Sequence, residues 1–413
     1  MQTTDLFEKA LQISPPWKVD KVEFKSSNEA QNEIELHISL SFEKGSVFPC
    51  PHDDCSEVAK VYDTTQRTWR HLDFFQYRTY IHARLPRINC PEHGVGTVEV
   101  PWARNNCGFT LLFESFVVEL AKHMPVRALA KITGEQDTLL WRIIHHYVHE
   151  ARKLEDYSDV TAIGMDETSK KGHNYITVVA DIVKKKVIFV TDGKDMKAVE
   201  AFAADFTAHN GLCENIVIAT CDMSGGFLSA IRKLFVNSEA IIDKFHVIKH
   251  ANERVNNVRK QEAQERTILK KTRYIWLKNE ENLTEKQKTT KQSLMKERLK
   301  TARAYVMKTR LQEIYDTPQS REEAEKNLKE LCSWMMHSRL EEMKKLAKTI
   351  RNHFNEILNY FSYSYTNAIL EGLNNIIQNV KGRARGFRNT EYFKTIIYLV
   401  CGGLNLDEVL CKA

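Results

Sequence analysis

The order of apolar segments between residues 159 and 250 restricts the fold more than any other feature of this sequence. Three strand-like segments come first, and Lys184 and Lys185 form the turn between the last two: "VTAIGMDE", "NYITVVADIV" and "KKVIFVTDG". An amphipathic helix, "DMKAVEAFAADFTAHN", then leads into alternating strands and helices in "ENIVIATCD", "SGGFLSAIRKLF" and "EAIIDKFHVIKHAN". A β-hairpin followed by strand–helix–strand crossovers predicts an α/β domain.

Three carboxylates form a candidate catalytic set. Asp166 and Asp222 each come at the predicted carboxyl end of a buried strand, where α/β sheets gather ligands, and Glu371 lies on a later helix. Close carboxylates repel one another, and Mg²⁺, which prefers carboxylate and phosphate oxygens, relieves that repulsion. The set predicts a site for two Mg²⁺ or Mn²⁺ ions that supports in-line displacement by a water or hydroxyl. Taken singly, each acid is better explained as a helix cap or an ion-paired carboxylate.

Glu371 is surrounded by amides instead of the Lys and Glu pairs of an ordinary exposed helix face. The amides at helical spacing on its face are Asn367, Asn374 and Gln378. We expect them to position the carboxylate. The helix leads into a basic loop, "KGRARGFR", whose cations are Lys381, Arg383, Arg385 and Arg388. We expect this loop to hold the phosphate backbone of a nucleic acid; the alternative is a surface loop whose cations are only solvated.

Two short turns indicate a structural zinc site. "CPHDDC" and "CPEHG" supply the candidate ligands Cys50, Cys55, Cys90 and His93. Two close-spaced ligand pairs brought together by a small β unit match tetrahedral zinc coordination. His52 lies inside the first turn and is a competing fourth ligand. The alternative is a set of unrelated buried cysteines.

Residues 125 to 148 have the spacing of a helix-turn-helix. Two helical segments with apolar faces are separated by "TGE". Arg127, Lys131 and Arg142 are the candidate phosphate contacts. An ordinary helical hairpin would give the same pattern, so this feature is weak when taken alone.

Positive charge is concentrated in one region. Residues 244 to 310 hold 19 Lys and Arg against 7 Asp and Glu, in a chain whose net charge is +6. Such a region favours a polyanionic partner, most simply nucleic acid, although a solvated helical surface explains the charge equally well. The polar, Lys-rich pattern from residue 251 to about 355 predicts helices that interrupt the α/β domain.

The bulk composition restricts the class of protein. At 413 residues the chain is too long for one typical domain. No apolar run reaches the roughly 18 residues that a membrane helix needs, and the first residues lack a secretory pattern. Nine scattered cysteines favour a reducing compartment, with any paired cysteines binding a metal. We therefore expect a cytoplasmic protein of several domains with no membrane partner.

Several blocks of the sequence resemble one protein family. The blocks in the second half are "GMDET", "ATCDMS", "IDKFHVIKH" and "TNAILEGLNNIIQNVKGRARGFRN", and those in the first half are "WRHLD" and "VPWARNNCGFT". Together with the cysteine turns, they are similar to the DDE transposases of the ISL3 family of bacterial insertion sequences. The resemblance extends over nearly the whole chain. The chain departs from it in the zinc turns, because the first pair has four intervening residues and the second ends in His93.

The resemblance implies a ribonuclease-H-like catalytic core, broken by an α-helical insertion before its last helix. It also implies the catalytic triad Asp166, Asp222 and Glu371, and places Asp243 and His246 in the lining of the site. Together with the patterns above, it predicts five regions. They are a β and zinc-binding domain (1–100), a helix-turn-helix (101–157), the first part of the core (158–250), the insertion (251–355) and the final core helices (356–413).

The predicted function is DNA transposition: binding of the terminal inverted repeats of an insertion sequence, metal-dependent strand cleavage and joining to target DNA. The partners are then double-stranded DNA and further copies of this chain in a complex that holds two ends. Two alternatives are a DNA-binding regulator on a transposase scaffold and a structure-selective nuclease. The three intact carboxylates argue against the regulator, and the N-terminal DNA-reading modules argue more weakly against the nuclease.

Overall fold

The computed structural model describes residues 3–28, 33–52, 54–171, 174–223, 225–363 and 368–410. These residues form two compact units. The first holds the described residues up to Arg152 together with those from Asn405 onward, and the second holds Lys153–Leu404. No helix in the described ranges combines the length and apolarity that a membrane span needs.

The first unit begins with a short helix, α1 (Thr3–Ala10), which is followed in the chain by a six-stranded sheet. Its strands are β1 (Trp17–Asn28), β2 (Glu33–Phe42), β3 (Val47–Pro49), β4 (Val58–Phe74), β5 (Tyr77–Cys90) and β6 (Gly94–Thr97). They lie in the order β1-β2-β5-β4-β3, with β6 paired to β5. The small β unit predicted around the zinc turns is confirmed. The 17-residue β4 was not predicted, because most of its side chains are half-buried or exposed and it lacks a run of apolar residues.

Three helices follow the sheet in the same unit: α2 (Leu111–His123), α3 (Val126–Thr133) and α4 (Asp137–Lys153). Gly134 ends α3 with a positive φ of 71°, a conformation that glycine adopts without steric cost. The predicted pair of helices broken at "TGE" is therefore confirmed, although α4 is longer than the short helix we expected. Leu129 of α3 and Leu140 of α4 are fully buried, so the apolar face of each helix points inward.

The second unit contains a five-stranded mixed sheet. Its strands are β7 (Ala162–Lys171), β8 (Asn174–Asp181), β9 (Lys186–Asp192), β10 (Ile218–Cys221) and β11 (Glu239–Ile242). Their order is β11-β10-β7-β8-β9. The first three strands pair antiparallel, whereas β10 is parallel to both β7 and β11. Helices α5 (Met196–Ala208) and α6 (Gly225–Leu234) form the crossovers, which confirms the predicted α/β order.

Helices make up most of the remaining chain. They are α7 (Lys244–Glu265), α8 (Arg273–Leu277), α9 (Glu285–Lys296), α10 (Lys300–Asp316), α11 (Arg321–Met336), α12 (Glu341–Asn352), α13 (Phe354–Leu358), α14 (Ala368–Arg383), α15 (Thr390–Cys401) and α16 (Leu406–Leu410). Helix α7 continues through residue 251, where we predicted that the insertion starts. The boundaries of the five predicted regions stay a prediction.

The last helices of the second unit pack against its hairpin strands. Leu373 and Ile377 of α14 and Phe393 of α15 share a buried cluster with Ile176 and Val178 of β8. This packing sets the position of α14, whose first turn carries Glu371. The sheet and α14 together therefore determine where the three predicted catalytic carboxylates lie.

Candidate active site and zinc centre

Three aspartates share one level of the sheet in the second unit. Strand β10 lies between β7 and β11 and is parallel to both. The last paired residues are Thr220 with Gly164 on one side and Cys221 with Ile242 on the other. Continuing this register places Asp222 between Asp166 and Asp243, at the carboxyl edge of the parallel strands. Ligands bind at such an edge in α/β sheets.

Asp166 is not at the end of its strand, contrary to our expectation. It lies inside β7, opposite Val178 of β8. The strand continues because β7 is also one arm of an antiparallel hairpin, which extends beyond the last residue that pairs with β10. Asp166 is therefore held by sheet pairing on one side and is open toward β10 on the other.

Asp166 is oriented by two hydrogen bonds. The backbone N–H of Glu167 donates to its Oδ1 at 2.7 Å, and the Nδ2 amide of Asn374 donates to its Oδ2. Thr168 Oγ1 donates to Asn374 Oδ1 at 2.7 Å, which keeps the N–H side of that amide facing Asp166. Asn374 thus contacts Asp166, whereas we expected the amides to position Glu371. Asn367, on the same predicted face, lies outside the described residues.

The acids of this site raise one another's pKa values. Burial raises the pKa of Asp166, and the negative charges of Asp222 and Asp243 raise it further, against the lowering effects of the Glu167 N–H and His246. Burial and the charge of Asp222 also raise the pKa of Glu167. A cluster of carboxylates that oppose each other's ionisation is typical of a cation site.

Asp243 and His246 form a pair beside the acids. Asp243 caps α7 by accepting the backbone N–H of Phe245 at 3.1 Å, and its Oδ2 lies 3.2 Å from His246 Nδ1. Burial would lower the pKa of His246, but the hydrogen bond to Asp243 and the charge of Asp166 raise it overall. The imidazole next to the carboxylates is therefore more easily protonated than an ordinary histidine.

The sheet and helix α14 both contribute predicted site residues to one cleft of about 680 Å³. Asp166, Asp243 and His246 line its wall together with Glu371 of α14. Asp222 is not among the lining side chains that the structure describes; it joins the set through the strand register and through its effect on the pKa of Asp166. Asn279, two residues after α8, and Gln312 of α10 also line the cleft, and sequence patterns gave no indication of them.

The zinc candidates converge in the first unit. Cys50 follows β3, and Cys90 ends β5 just before the turn into β6. The ligand atoms of Cys50, Cys55, Cys90 and His93 all lie within 4.8 Å of one another. The separations are 3.7 Å for Cys55 Sγ to Cys90 Sγ, 3.7 Å for Cys50 Sγ to His93 Nδ1 and 3.8 Å for Cys90 Sγ to His93 Nδ1.

These separations fit a tetrahedral zinc ion. Zn–S bonds of about 2.3 Å at the tetrahedral angle place two sulfurs about 3.8 Å apart. His52, the competing ligand, stacks on His93 with ring centroids 4.3 Å apart and groups with Asp54 instead of the cysteines. The geometry therefore favours His93 as the fourth ligand.

The candidate DNA contacts in the helix-turn-helix are on the surface. Arg127, Lys131 and Arg142 are all exposed. The buried Arg70 of β4 contacts the turn between α3 and α4: its Nε lies 3.3 Å from Glu135 Oε1 in that turn, and its Nη2 donates to the backbone oxygen of Thr133 at 3.5 Å. The position of the helix pair thus depends on the "WRHLD" segment that contains Arg70.

The basic segment after Glu371 is only partly a loop. Helix α14 extends to Arg383, and the chain then turns at Arg385 (φ 56°) and Gly386 (φ 89°). Lys381 Nζ donates to the backbone oxygen of Ser169, so this cation is engaged within the unit. Arg383, Arg385 and Arg388 are exposed.

Family models match three successive parts of the chain. A model for the DDE transposase of ISL3 elements matches residues 163–397. This chain belongs to the ISL3 family of transposases. The helix-turn-helix domain of transposase family ISL3 matches residues 98–148, and the zinc-finger of transposase IS204/IS1001/IS1096/IS1165 matches residues 46–93. The family recognised from the sequence is confirmed.

This ISL3 transposase has relatives of similar length. It is 25% identical over 385 residues to the transposase for insertion sequence element IS1557 of Mycobacterium tuberculosis, covering 84% of this chain and 85% of the relative. It is 26% identical over 351 residues to the transposase for insertion sequence element IS1001 of Bordetella parapertussis, covering 81% and 84%. Together these findings establish a catalytic, DNA-binding transposase with a zinc-finger and a helix-turn-helix.

Proposed function

We propose that Asp166, Asp222 and Glu371 hold divalent metal ions and that this site cuts the terminal inverted repeats of an insertion sequence and joins the 3′-hydroxyls to target DNA. The observation that carries the proposal is the convergence of the acids. Parallel register brings Asp222 beside Asp166, and α14 adds Glu371 to the same cleft. The proposed core is ribonuclease-H-like. Three antiparallel strands, extended on one side by two parallel strands, support this proposal.

The donor set suits Mg²⁺ or Mn²⁺, because carboxylate oxygens are the ligands these hard cations prefer. The raised pKa of Asp166 supports this, since the neighbouring charges that raise it are the charges a cation would neutralise. Two bound ions would activate the attacking hydroxyl and stabilise the leaving oxygen. The chain itself orients the carboxylate: Glu167 N–H and Asn374 hold both oxygens of Asp166 in place.

We assign recognition and backbone binding to different parts of the chain. The helix-turn-helix, with Arg127, Lys131 and Arg142, and a zinc ribbon held by Cys50, Cys55, Cys90 and His93 would read the inverted repeats. The exposed cations after α14 would hold phosphates near the cleft with little sequence preference. Holding two ends at once requires more than one copy of the chain, so we propose a homo-oligomer in the synaptic complex, acting on DNA in the bacterial cytoplasm.

The proposal is tested with full-length protein and the DNA that flanks its gene. Duplexes carrying the flanking inverted repeats are incubated with Mg²⁺, and strand breaks and joined products are resolved on denaturing gels. We expect 3′-hydroxyl ends at the repeat boundary and joining to a target plasmid. Binding without cleavage would favour the regulator, and cleavage without joining would favour the nuclease. Equal cleavage of a scrambled repeat would contradict recognition of the ends.

A further inference from the structure

One wall of the cleft differs from the wall that carries Asp166 and Glu371, because it is lined by aromatic, aliphatic and amide side chains. Phe245, Ile248 and Asn252 line it from α7, at i, i+3 and i+7, so one face of that helix borders the cleft. The same wall is also lined by Asn279, two residues after the end of α8, and by Gln312 of α10. This wall presents an aromatic ring, an aliphatic side chain and three amides.

The ring of Phe245 is unusually placed for so large an apolar group. The residue is 60% exposed. Its backbone N–H donates to Asp243 Oδ1, so the first turn of α7, which carries the ring, is held next to a cleft carboxylate. An exposed aromatic ring fixed beside an active site offers a flat surface on which a nucleobase stacks.

The amides on this wall have unused hydrogen-bonding groups. Oδ1 of Asn252 is buried and accepts no hydrogen bond from any residue that the structure describes. Gln312 Nε2 donates to Asn279 Oδ1 at 3.3 Å. This bond does not use the side-chain oxygen of Gln312 or the side-chain amino group of Asn279. A buried acceptor without a donor is costly, and a ligand with N–H groups would satisfy it.

The basic side chains next to this wall are paired with carboxylates. Lys244 is ion-paired with Asp316, and His246 lies beside Asp243, so neither is available as a phosphate ligand. A neutral wall with one aromatic ring and amide donors and acceptors matches the face and edge of a nucleobase instead. A base inside the duplex cannot reach such a wall without leaving the stack.

We propose that this wall is a nucleobase subsite: Phe245 stacks, and Asn252 hydrogen-bonds, one base that leaves the duplex next to the scissile phosphate. The inference rests on the proposed cleavage activity and adds a positioning role for α7 and the inserted helices. Extruding a base beside the cut would bend the strand into the cleft and present its phosphodiester to the carboxylates.

The test combines protein variants with abasic DNA. Cleavage rates of wild-type protein and of Phe245→Ala are measured on end duplexes that carry a single abasic site at each position around the cut. On intact duplex we expect Phe245→Ala to cleave about tenfold more slowly, in line with the loss of one stacked base. At one abasic position the two proteins should differ less than about twofold, because no base remains to be stacked.

Controls separate this inference from the activity on which it rests. Phe245→Trp should keep the wild-type rate, Asn252→Leu should show the same position-specific rescue as Phe245→Ala, and Tyr274→Ala, an exposed aromatic outside the cleft, should behave as wild type. A Phe245→Ala defect that is equal at every abasic position, or no defect at all, would overturn the subsite while leaving cleavage intact. Failure of wild-type protein to cut end DNA would overturn both proposals.

Discussion

The side-chain amide of Asn374 donates a hydrogen bond to Oδ2 of Asp166, a residue 208 positions earlier in the chain. Asn374 is three residues after Glu371, on the next turn of α14. The helix therefore supplies one predicted metal ligand and orients another. Partners that orient metal ligands contribute strongly to metal affinity and activity.

Replacing Asn374 should reduce cleavage without reducing DNA binding. In Asn374→Ala, Asp166 loses the donor to Oδ2 and its carboxylate is free to rotate. We expect a fall of about 10- to 100-fold in the Mg²⁺-dependent cleavage rate, relieved in part by higher Mg²⁺. Gln378→Ala, an exposed amide one turn further along α14, is the matched control and should cleave as wild type. Undiminished cleavage by Asn374→Ala would remove the positioning role.

One zinc ion per chain should be present in protein purified without chelator. Structural zinc contributes directly to folding, so its removal should also lower the thermal stability of the first unit. Elemental analysis of wild type, His93→Ala and His52→Ala tests the ligand set. We expect zinc to be lost in His93→Ala and kept in His52→Ala; the opposite result would make His52 the fourth ligand, and zinc-free wild type would refute the site.

The exposed arginines at the end of α14 and just after it should bind DNA through phosphates alone. Replacing Arg383 and Arg385 by Ala should weaken binding to end DNA and to unrelated DNA alike, and should make the salt dependence shallower by about one log–log unit per lost contact. Replacing the exposed Lys326 of α11 and Lys348 of α12 by Ala is the matched control for lost charge. A loss confined to end DNA, or an unchanged slope, would show that these arginines do not hold the backbone.

Acid should destabilise the first unit through His71. Its Nδ1 lies 2.9 Å from Thr110 Oγ1, the N-cap of α2, and burial, together with the charge of Arg70, lowers the pKa of His71 to about 4. In the unfolded chain His71 binds a proton near pH 6.5, whereas in the folded chain it binds one only near pH 4. The free energy of unfolding should therefore fall as the pH drops from about 6.5 to 4, by about 2 kcal/mol at pH 5.

His71→Gln isolates this effect. The variant removes the titrating group, so its unfolding free energy should fall less between pH 7 and pH 5 than that of wild type, measured by denaturant melts with zinc held constant. His149→Gln alters an exposed imidazole on α4 and serves as the comparison. Parallel pH profiles for wild type and His71→Gln would contradict the assignment.

Much of the fold was readable from local patterns. The short apolar strands before Asp222 and Asp243 predict where the chain reaches the edge of the sheet, because a fully buried strand needs a continuous apolar run. The long strand β4 escaped detection because Trp69 is its sole fully buried apolar side chain. Its place is set by pairing with β5, which no local pattern records.

The site could be predicted only in part, because local sequence patterns do not record tertiary contacts. Asp166, Asp222 and Glu371 could be proposed because each occupies a position that a local pattern marks. The contact from Asn374 to Asp166 depends on how α14 packs against the sheet, and the cleft wall formed by Asn252 and Gln312 depends on how α7 and α10 pack. Such tertiary contacts have no signature in one sequence.

The most direct test of the account is cleavage of end DNA by Asp166→Asn, Asp222→Asn and Glu371→Gln, beside wild type and the exposed control Glu200→Gln. Each substitution keeps the size of the side chain and removes one metal-binding charge. We predict that the three variants bind end DNA with wild-type affinity and lose Mg²⁺-dependent cleavage by at least about three orders of magnitude, while the control cleaves normally. Wild-type cleavage by any one of the three would contradict the role of that residue as a catalytic metal ligand.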